Sequence, residues 1–456
     1  MVAYPPTAPG AVAKYSLLGV TVLGTMANNI VNVPLSTIAA EFNAPVSTAV
    51  LTVSAFALML AVAMPLTGWA GDRIGRRRML VAALFLMLAG QVAAALAPTL
   101  GLLIAARAVQ GLACSAVPPM VMGMLVTFYP DQRLRMMGAW AAANGTGQAL
   151  GPPVGGLLSD LAGWRSVFVL VAVLTVIVLL GIARSVPPLP GQRTPLHVPG
   201  ALMLSAGVGM VLAAMASLSL ATVSPALAGL AAAVGTALIA AFVAVSVGNP
   251  TAMVPPHLIV EARFLRSSVA AFAQMFMLGT VLVVMPLYLT REAGLSPWQA
   301  GLLFFQLPLV MVVMAPLVGR LGDTLRPRRV LRTGLLVIML GGVGTGTLIR
   351  EAEGPVPLVV VSALLLVLGV GMAMVQTPAA AGATRSPAGN RGAALGLFNM
   401  LRFSGSTAGA AWVALVYRDA DMLLLFLGAG VVAAIGLAVS FYGADPSDAA
   451  EPALAP

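Results

Sequence analysis

About fourteen transmembrane helices in an all-α integral membrane fold, two six-helix repeats with an inserted helix pair between them, is the architecture this sequence predicts. Three observations carry it. The chain is 60% hydrophobic and only 8% charged over 456 residues, and its mean hydropathy is +1.00; a soluble domain carries roughly 25% charged residues. Apolar runs long enough to span a bilayer recur from end to end, joined by short turns such as Ala44-Pro45, Pro130-Asp131, Ser224-Pro225 and Ser296-Pro297. Finally, a charge-dense loop, Gly68-Trp69-Ala70-Gly71-Asp72-Arg73-Ile74-Gly75-Arg76-Arg77-Arg78, returns in weaker form as Gly319-Arg320-Leu321-Gly322-Asp323-Thr324-Leu325-Arg326-Pro327-Arg328-Arg329.

In chain order the runs place helices over 16–38, 47–69, 79–97, 99–127, 136–159, 166–184, 198–219, 224–247, 267–290, 298–319, 330–349, 356–377, 393–416 and 422–442. The two arginine-rich loops follow the second and tenth of these. Taking the seventh and eighth as an insertion puts the loops in register. The expected organisation is then an N-terminal half over 1–185, a linker with two extra helices over 186–262, a C-terminal half over 263–443 and a tail over 444–456. Parallel six-helix repeats of this kind are one known transporter architecture.

The cations set the orientation. With fourteen crossings, 18 of the 24 Lys and Arg residues fall on the side of the termini, while the carboxylates divide evenly. The positive-inside rule therefore puts both termini in the cytoplasm. The net charge of +10 is read as topology, so no nucleic-acid partner is expected. The 23 arginines against one lysine, Lys14, suit a high-GC bacterial genome and hence an inner (plasma) membrane. Lys14 precedes a long apolar run without a small-residue cleavage site, which reads as a first span.

Catalysis has no support here. Cys114 is alone, the two histidines His197 and His257 fall in connections, and no Ser/His/Asp set, Walker loop or metal cluster is visible. No cofactor and no metal are expected. The lipid bilayer is the expected partner, with a monomer as the expected unit.

Four local patterns resemble the major facilitator superfamily, and more narrowly its fourteen-span drug:proton antiporter branch. The loop Gly68–Arg78 is similar to that family's loop after its second helix. Gly68, Asp72, Arg73, Gly75, Arg76 and Arg77 form a candidate conformational latch, in which Asp72 pairs with arginines or faces a helix N-terminus. The alternative is that these arginines only fix orientation. In the fourth run stands Arg107-Ala108-Val109-Gln110-Gly111; the resemblance associates such an arginine with proton coupling, and snorkelling from the helix end is the other reading. In the fifth run, Gly147, Gly151, Pro152, Gly155 and Gly156 resemble the antiporter motif. Its glycines four apart share a face that admits another helix closely, which an ordinary packing seam would also do. The fourth pattern, Asn28-Asn29-Ile30-Val31-Asn32-Val33-Pro34-Leu35, departs from the family, with Ala27 where the family carries Asp.

That departure leaves no Asp or Glu well inside any run. Glu41 and Asp160, near the outer ends of the first and fifth runs, are the candidate proton acceptors beside Arg107. Candidate cavity residues are Asn28, Asn29, Asn32, Gln110, Asn144, Gln148, Gln274, Gln306, Gln376, Asn399 and Arg402. Any one amide could instead bond a neighbouring helix. Asn399 and Arg402, three apart, share a face. With 25 methionines to supply an adaptable apolar lining, the resemblance implies export of drugs, antibiotics or hydrophobic and amphipathic metabolites by proton antiport. A facilitator or importer not coupled to protons is the alternative.

Overall fold

The computed structural model describes residues 9–192, 195–217, 223–249, 251–321, 325–352, 355–416 and 422–443. Gly322, Asp323 and Thr324 of the second arginine cluster, Arg193, Arg418 and the tail 444–456 lie outside the described residues. In chain order the helices are α1 (Ala11–Asn29), α2 (Leu35–Glu41), α3 (Val46–Ala49), α4 (Leu51–Ile74), α5 (Arg76–Ala95), α6 (Leu100–Cys114), α7 (Val117–Phe128), α8 (Arg133–Ala162) and α9 (Arg165–Ser185). They continue as α10 (Val198–Ser217), α11 (Pro225–Ser246), α12 (Pro256–Ile259), α13 (Ala262–Arg291), α14 (Pro297–Leu321), α15 (Pro327–Glu351), α16 (Leu358–Arg385), α17 (Gly392–Val416) and α18 (Met422–Val439). Two short 3-10 turns, Pro130–Gln132 and Pro387–Asn390, lead into α8 and α17.

Each of the fourteen expected segments coincides with a helix or a broken helix pair. Eleven helical segments among the described residues are long and apolar enough to cross a membrane, with α6 and α7 together forming one. The remaining three segments are the first, fifth and thirteenth, and these carry most of the polar and glycine patterns singled out above. The first run corrects the expectation of one helix over 16–38. Helix α1 stops at Asn29, and the chain turns through Ile30–Pro34 before α2 starts. Pro34 has no N–H to donate, and a residue before proline is pushed out of the α region. The fourth run also divides, at Ser115-Ala116, ahead of Pro118 and Pro119. By contrast α8 runs unbroken through Pro152 and Pro153.

The packing repeats with an offset of eight segments. Helix α1 lies on α8 as α13 lies on α17; α4 on α6 as α14 on α16; α5 on α9 as α15 on α18. The halves meet where α8 lies on α14 and α4 on α17. Helices α10 and α11 pair with each other, and α10 leans on α4 and α17 at the outer side of that seam. Many Leu, Val and Ile side chains on α9, α11 and α18 are exposed, among them Val173, Ile177, Leu230 and Ile435. A belt of that kind belongs against lipid tails, since in water it would far exceed the apolar patches tolerated on a monomer.

Candidate functional site

The candidate latch residues meet across the two halves. Asp72, in the last turn of α4, accepts a hydrogen bond at Oδ2 from the backbone N–H of Gly392 at 2.5 Å, while Oδ1 stands 3.6 Å from Nη2 of Arg76. Gly392 is the first residue of α17, so the carboxylate meets the N-terminus of a helix from the other half, where N–H groups and the dipole favour negative charge. Arg76 then reaches across the same seam, donating to the Asn390 carbonyl at 3.1 Å, and is held within its own half by Thr127 Oγ1 of α7 at 3.4 Å. Arg133, at the start of α8, donates to the Thr384 carbonyl of α16 at 3.2 Å.

Glycines make this approach possible. A Cβ on Gly68 would run into the Gly392 carbonyl, and one on Gly396 into the Met64 carbonyl. The face of α17 carrying Gly392 and Gly396 was not picked out from the sequence; its glycines four apart were the available signal. Gly75 turns the chain with φ +100°, a conformation that suits glycine alone, and any side chain there would also meet the Leu189 carbonyl at 2.6 Å. The segment after α9 packs beneath: Gln192 N donates to the Asp72 carbonyl at 2.7 Å, and Trp69 Nε1 to the Pro195 carbonyl at 3.2 Å. Arg73 lies over the Trp69 ring, and Arg77 donates to the Ala183 carbonyl.

The glycine seam of α8 faces α1. Cβ atoms on Gly147 and Gly155 would enter the backbone of α1 and of the turn after it, at Val22 and Ile30. A Cβ on Gly151 would stand 3.0 Å from Asn29 Cβ, and one on Gly156 3.2 Å from Val33. Pro152 is half-buried on the neighbouring face. The motif therefore fixes the break in the first segment against α8.

Arg107 is 0% exposed, so it does not snorkel. It donates to the Ala27 carbonyl at 3.0 Å, the Thr52 carbonyl at 3.2 Å, the Asn28 carbonyl at 3.5 Å and Gln110 Oε1 at 2.7 Å, and it lies over the Phe56 ring. Ala27 and Asn28 are at the end of α1, where the break leaves carbonyls without helical partners. Arg107 is thus a bracket joining α1, α4 and α6. Gln110 completes it by donating to the Gly90 carbonyl of α5 at 2.9 Å.

The proposed proton acceptors are elsewhere. Glu41 ends α2 and takes hydrogen bonds from Arg165 and from Trp164 Nε1, the latter at 2.5 Å. Those two bonds hold its carboxyl below the usual range. Asp160 is exposed near the end of α8. Neither carboxylate has a described bond to Arg107.

The other cavity candidates divide in two. Asn29 bonds back to the Thr25 carbonyl, Asn144 to the Trp140 carbonyl, and Gln306 reaches Ser362 on α16 at 3.3 Å. Asn32 is exposed in the turn after α1, and Gln148 is half-buried on α8. Buried atoms without a hydrogen-bond partner make up the second group: Asn28 Oδ1, both amide atoms of Gln274, Gln376 Nε2, Asn399 Oδ1 and all three side-chain nitrogens of Arg402. Asn399 Nδ2 approaches Met122 Sδ of α7 at 3.3 Å, and Arg402 lies 5.2 Å from the centre of the Trp140 ring of α8. Asn399 and Arg402 therefore face the N-terminal half. Gly392 to Arg402 is ten residues, about 15 Å along the helix, so this cluster sits roughly mid-membrane beneath the latch. Sequence reasoning missed Trp140, Met122, Thr377 and Gln91, all buried; in an apolar run they look like ordinary filling.

Comparison with known proteins agrees with this architecture. A family model described as the Major Facilitator Superfamily matches residues 17–199 and 267–456, passing over most of the α10–α11 segment. The chain belongs to that superfamily. It is 30% identical over 332 residues to a methylenomycin A resistance protein of Streptomyces coelicolor, covering 69% of this chain and 68% of the relative. It is 25% identical to the riboflavin transporter RibZ of Clostridioides difficile, over 74% of this chain and 73% of the relative. Among solved structures the human organic anion transporter MFSD10 superposes with a TM-score of 0.68 at 16% identity, covering 94% of this chain and 99% of that one. The last likeness is one of fold.

Proposed function

We propose that this chain is a secondary active exporter of drugs, antibiotics or hydrophobic and amphipathic metabolites, working by proton antiport across a bacterial cytoplasmic membrane with both termini inside. The observation that carries the reading is the bolt between halves. Asp72 on Gly392 closes one face directly above a set of buried polar groups at the half interface. Such a contact can be made and broken as the halves 1–185 and 263–443 rock, which exposes the mid-membrane groups alternately. The glycine seam of α8 and the resistance named in the Streptomyces relative favour export. A monomer suffices for this mechanism, since both halves lie in one chain.

The test uses everted vesicles from an efflux-deficient host with an imposed pH gradient. Cargo accumulation that needs the chain and collapses with the gradient supports antiport. Accumulation that survives collapse selects the second reading, a facilitator or importer. Two observations favour that alternative: no Asp or Glu lies mid-helix among the described residues, and one relative is named as a riboflavin transporter. Reporter fusions at residue 456 and in the 220–224 connection should report opposite sides; the same side for both would refute the topology.

A further inference from the structure

Arg107 and Arg402 are both buried well inside their helices, and their surroundings differ. Arg107 has a hydrogen-bond acceptor for every one of its side-chain nitrogens. Arg402 is 1% exposed, and its Nε, Nη1 and Nη2 meet no acceptor. Its only described neighbours of note are two aromatic faces, Phe403 at 4.9 Å and Trp140 at 5.2 Å. A guanidinium carries five N–H donors in a planar fork. Burying that fork unpaired is costly, and a charge held mid-membrane without a counter-charge marks function. Ring faces offer a cation only part of what a carboxylate offers.

Among the described residues no acid is placed to supply the counter-charge. Asp72 is engaged with Gly392 at the latch, Glu41 with Arg165 and Trp164, and Asp160 is exposed near a helix end. Trp140 Nε1 is a buried, unpaired donor on the facing helix; elsewhere among the described residues both amide atoms of Gln274 on α13, Nε2 of Gln376 on α16 and Oδ1 of Asn399 are also buried and unpaired. These two glutamines lie at one depth. Ser267 of α13 stands against Gly382 of α16, and the antiparallel run from that contact brings position 274 level with about position 376. Helices α13 and α16 both pack with α17.

We propose that Arg402 is the anion-reading residue of the cargo site, and that the cargo is an organic anion: a carboxylate, sulfonate or phosphate on an apolar, preferably aromatic, body. The acidic group takes the planar fork of Arg402, with Trp140 Nε1 as a further donor, and the apolar body lies against Trp140, Phe403 and Met122. Arg402 and Trp140 come from opposite halves, so the anion is held by both halves at once. This rests on the transport reading above and adds the charge class of the cargo.

The experiment is a binding one, made on the full chain in detergent. 2-Naphthoate, naphthalene-2-sulfonate and 2-naphthamide are compared by tryptophan fluorescence and by thermal unfolding. The two anions should bind at least 10-fold more tightly than the isosteric amide. Arg402→Gln should erase that difference, and Arg402→Lys should keep part of it. Arg107→Gln should lower stability yet leave the preference for anions in the protein that remains folded. Equal binding of anion and amide, no binding of either anion, or a preference that survives in Arg402→Gln would overturn the assignment. If Arg402→Gln does not fold, Trp140→Phe gives the second reading: it removes the indole donor and should weaken the anions selectively. An unchanged anion preference in Trp140→Phe would count against the site. Binding is read without transport, so it can fail while vesicle transport succeeds, or succeed while transport fails.

Discussion

Replacing Asp72 by Asn removes one charge from the seam and leaves the side chain's shape intact. In the closed arrangement the carboxylate takes a 2.5 Å hydrogen bond from Gly392 at the start of α17 and is 11% exposed. A hydrogen bond to a charged group contributes about 1.5–3 kcal/mol, and a neutral one about 0.5–1.5 kcal/mol. Asn keeps an acceptor, so the loss is the difference, together with the interaction of the charge with the helix N-terminus, roughly 0.3–1 kcal/mol. Some of this is offset because the neutral amide costs less to bury. A net change of about 1–2 kcal/mol shifts the balance of latched and unlatched states roughly 5- to 30-fold. Paired spin labels at Arg78→Cys and Leu325→Cys, both exposed and one in each half, report that balance as a distance distribution; the native Cys114 is buried. The mutant should gain a longer-distance population in that proportion, with expression unchanged and transport impaired. An unchanged distribution, or full transport, would refute the reasoning that this bond biases the two states.

Three further outcomes follow from the same geometry. Gly155→Leu and Gly151→Leu should each destabilise the protein by about 1–3 kcal/mol through overpacking, whereas Gly19→Leu, whose Cβ would meet only Val178 at 3.8 Å, should be tolerated; thermal unfolding in detergent separates them, and equal tolerance would dissolve the seam. Arg107→Gln should lower stability by a few kcal/mol, roughly 1–3 kcal/mol for each buried carbonyl left without its donor, and the same melts would show a near-wild-type value if the bracket were idle. Glu41 is held ionised by Arg165 and Trp164, so its folded pKa lies below the ordinary 4.5. The stability it adds is therefore present above that ordinary value and is lost as pH falls through the lower, folded one. Glu41→Gln should cost stability at pH 7, lose that cost in strong acid, and leave gradient-driven export intact; abolished export would make Glu41 the proton carrier after all.

Much of this architecture was legible in local sequence because the bilayer reads sequence locally. A run such as 166–184 has one stable option in hydrocarbon, a helix with its backbone bonds satisfied internally, and α9 occupies Arg165–Ser185. The charged contact at the seam was legible for a similar reason. Asp72, Gly75 and the arginines lie within one turn-and-loop segment, and its helix partner was expected although α17 was not named. Where a chain break intervened, as at Pro34, local reading overran it, because one proline inside an apolar run does not say whether the helix bends or stops.

Arg107 and Arg402 mark where local reading ends. Arg107-Ala108-Val109-Gln110 and Asn399-Met400-Leu401-Arg402 look alike in the sequence, each an arginine three residues from an amide inside an apolar run. Composition and helical period placed both in apolar helices on a face shared with an amide. The tertiary fold decided what each arginine meets. Arg107 takes the carbonyls of Ala27 and Thr52, 80 and 55 positions away, the first of them left by the break after α1. Arg402 faces the Trp140 ring of the opposite half with its fork unpaired. The helical period is set by bonds four residues apart, whereas the partner of a buried charge is set by which distant helices arrive beside it, and only the packed structure brings them together.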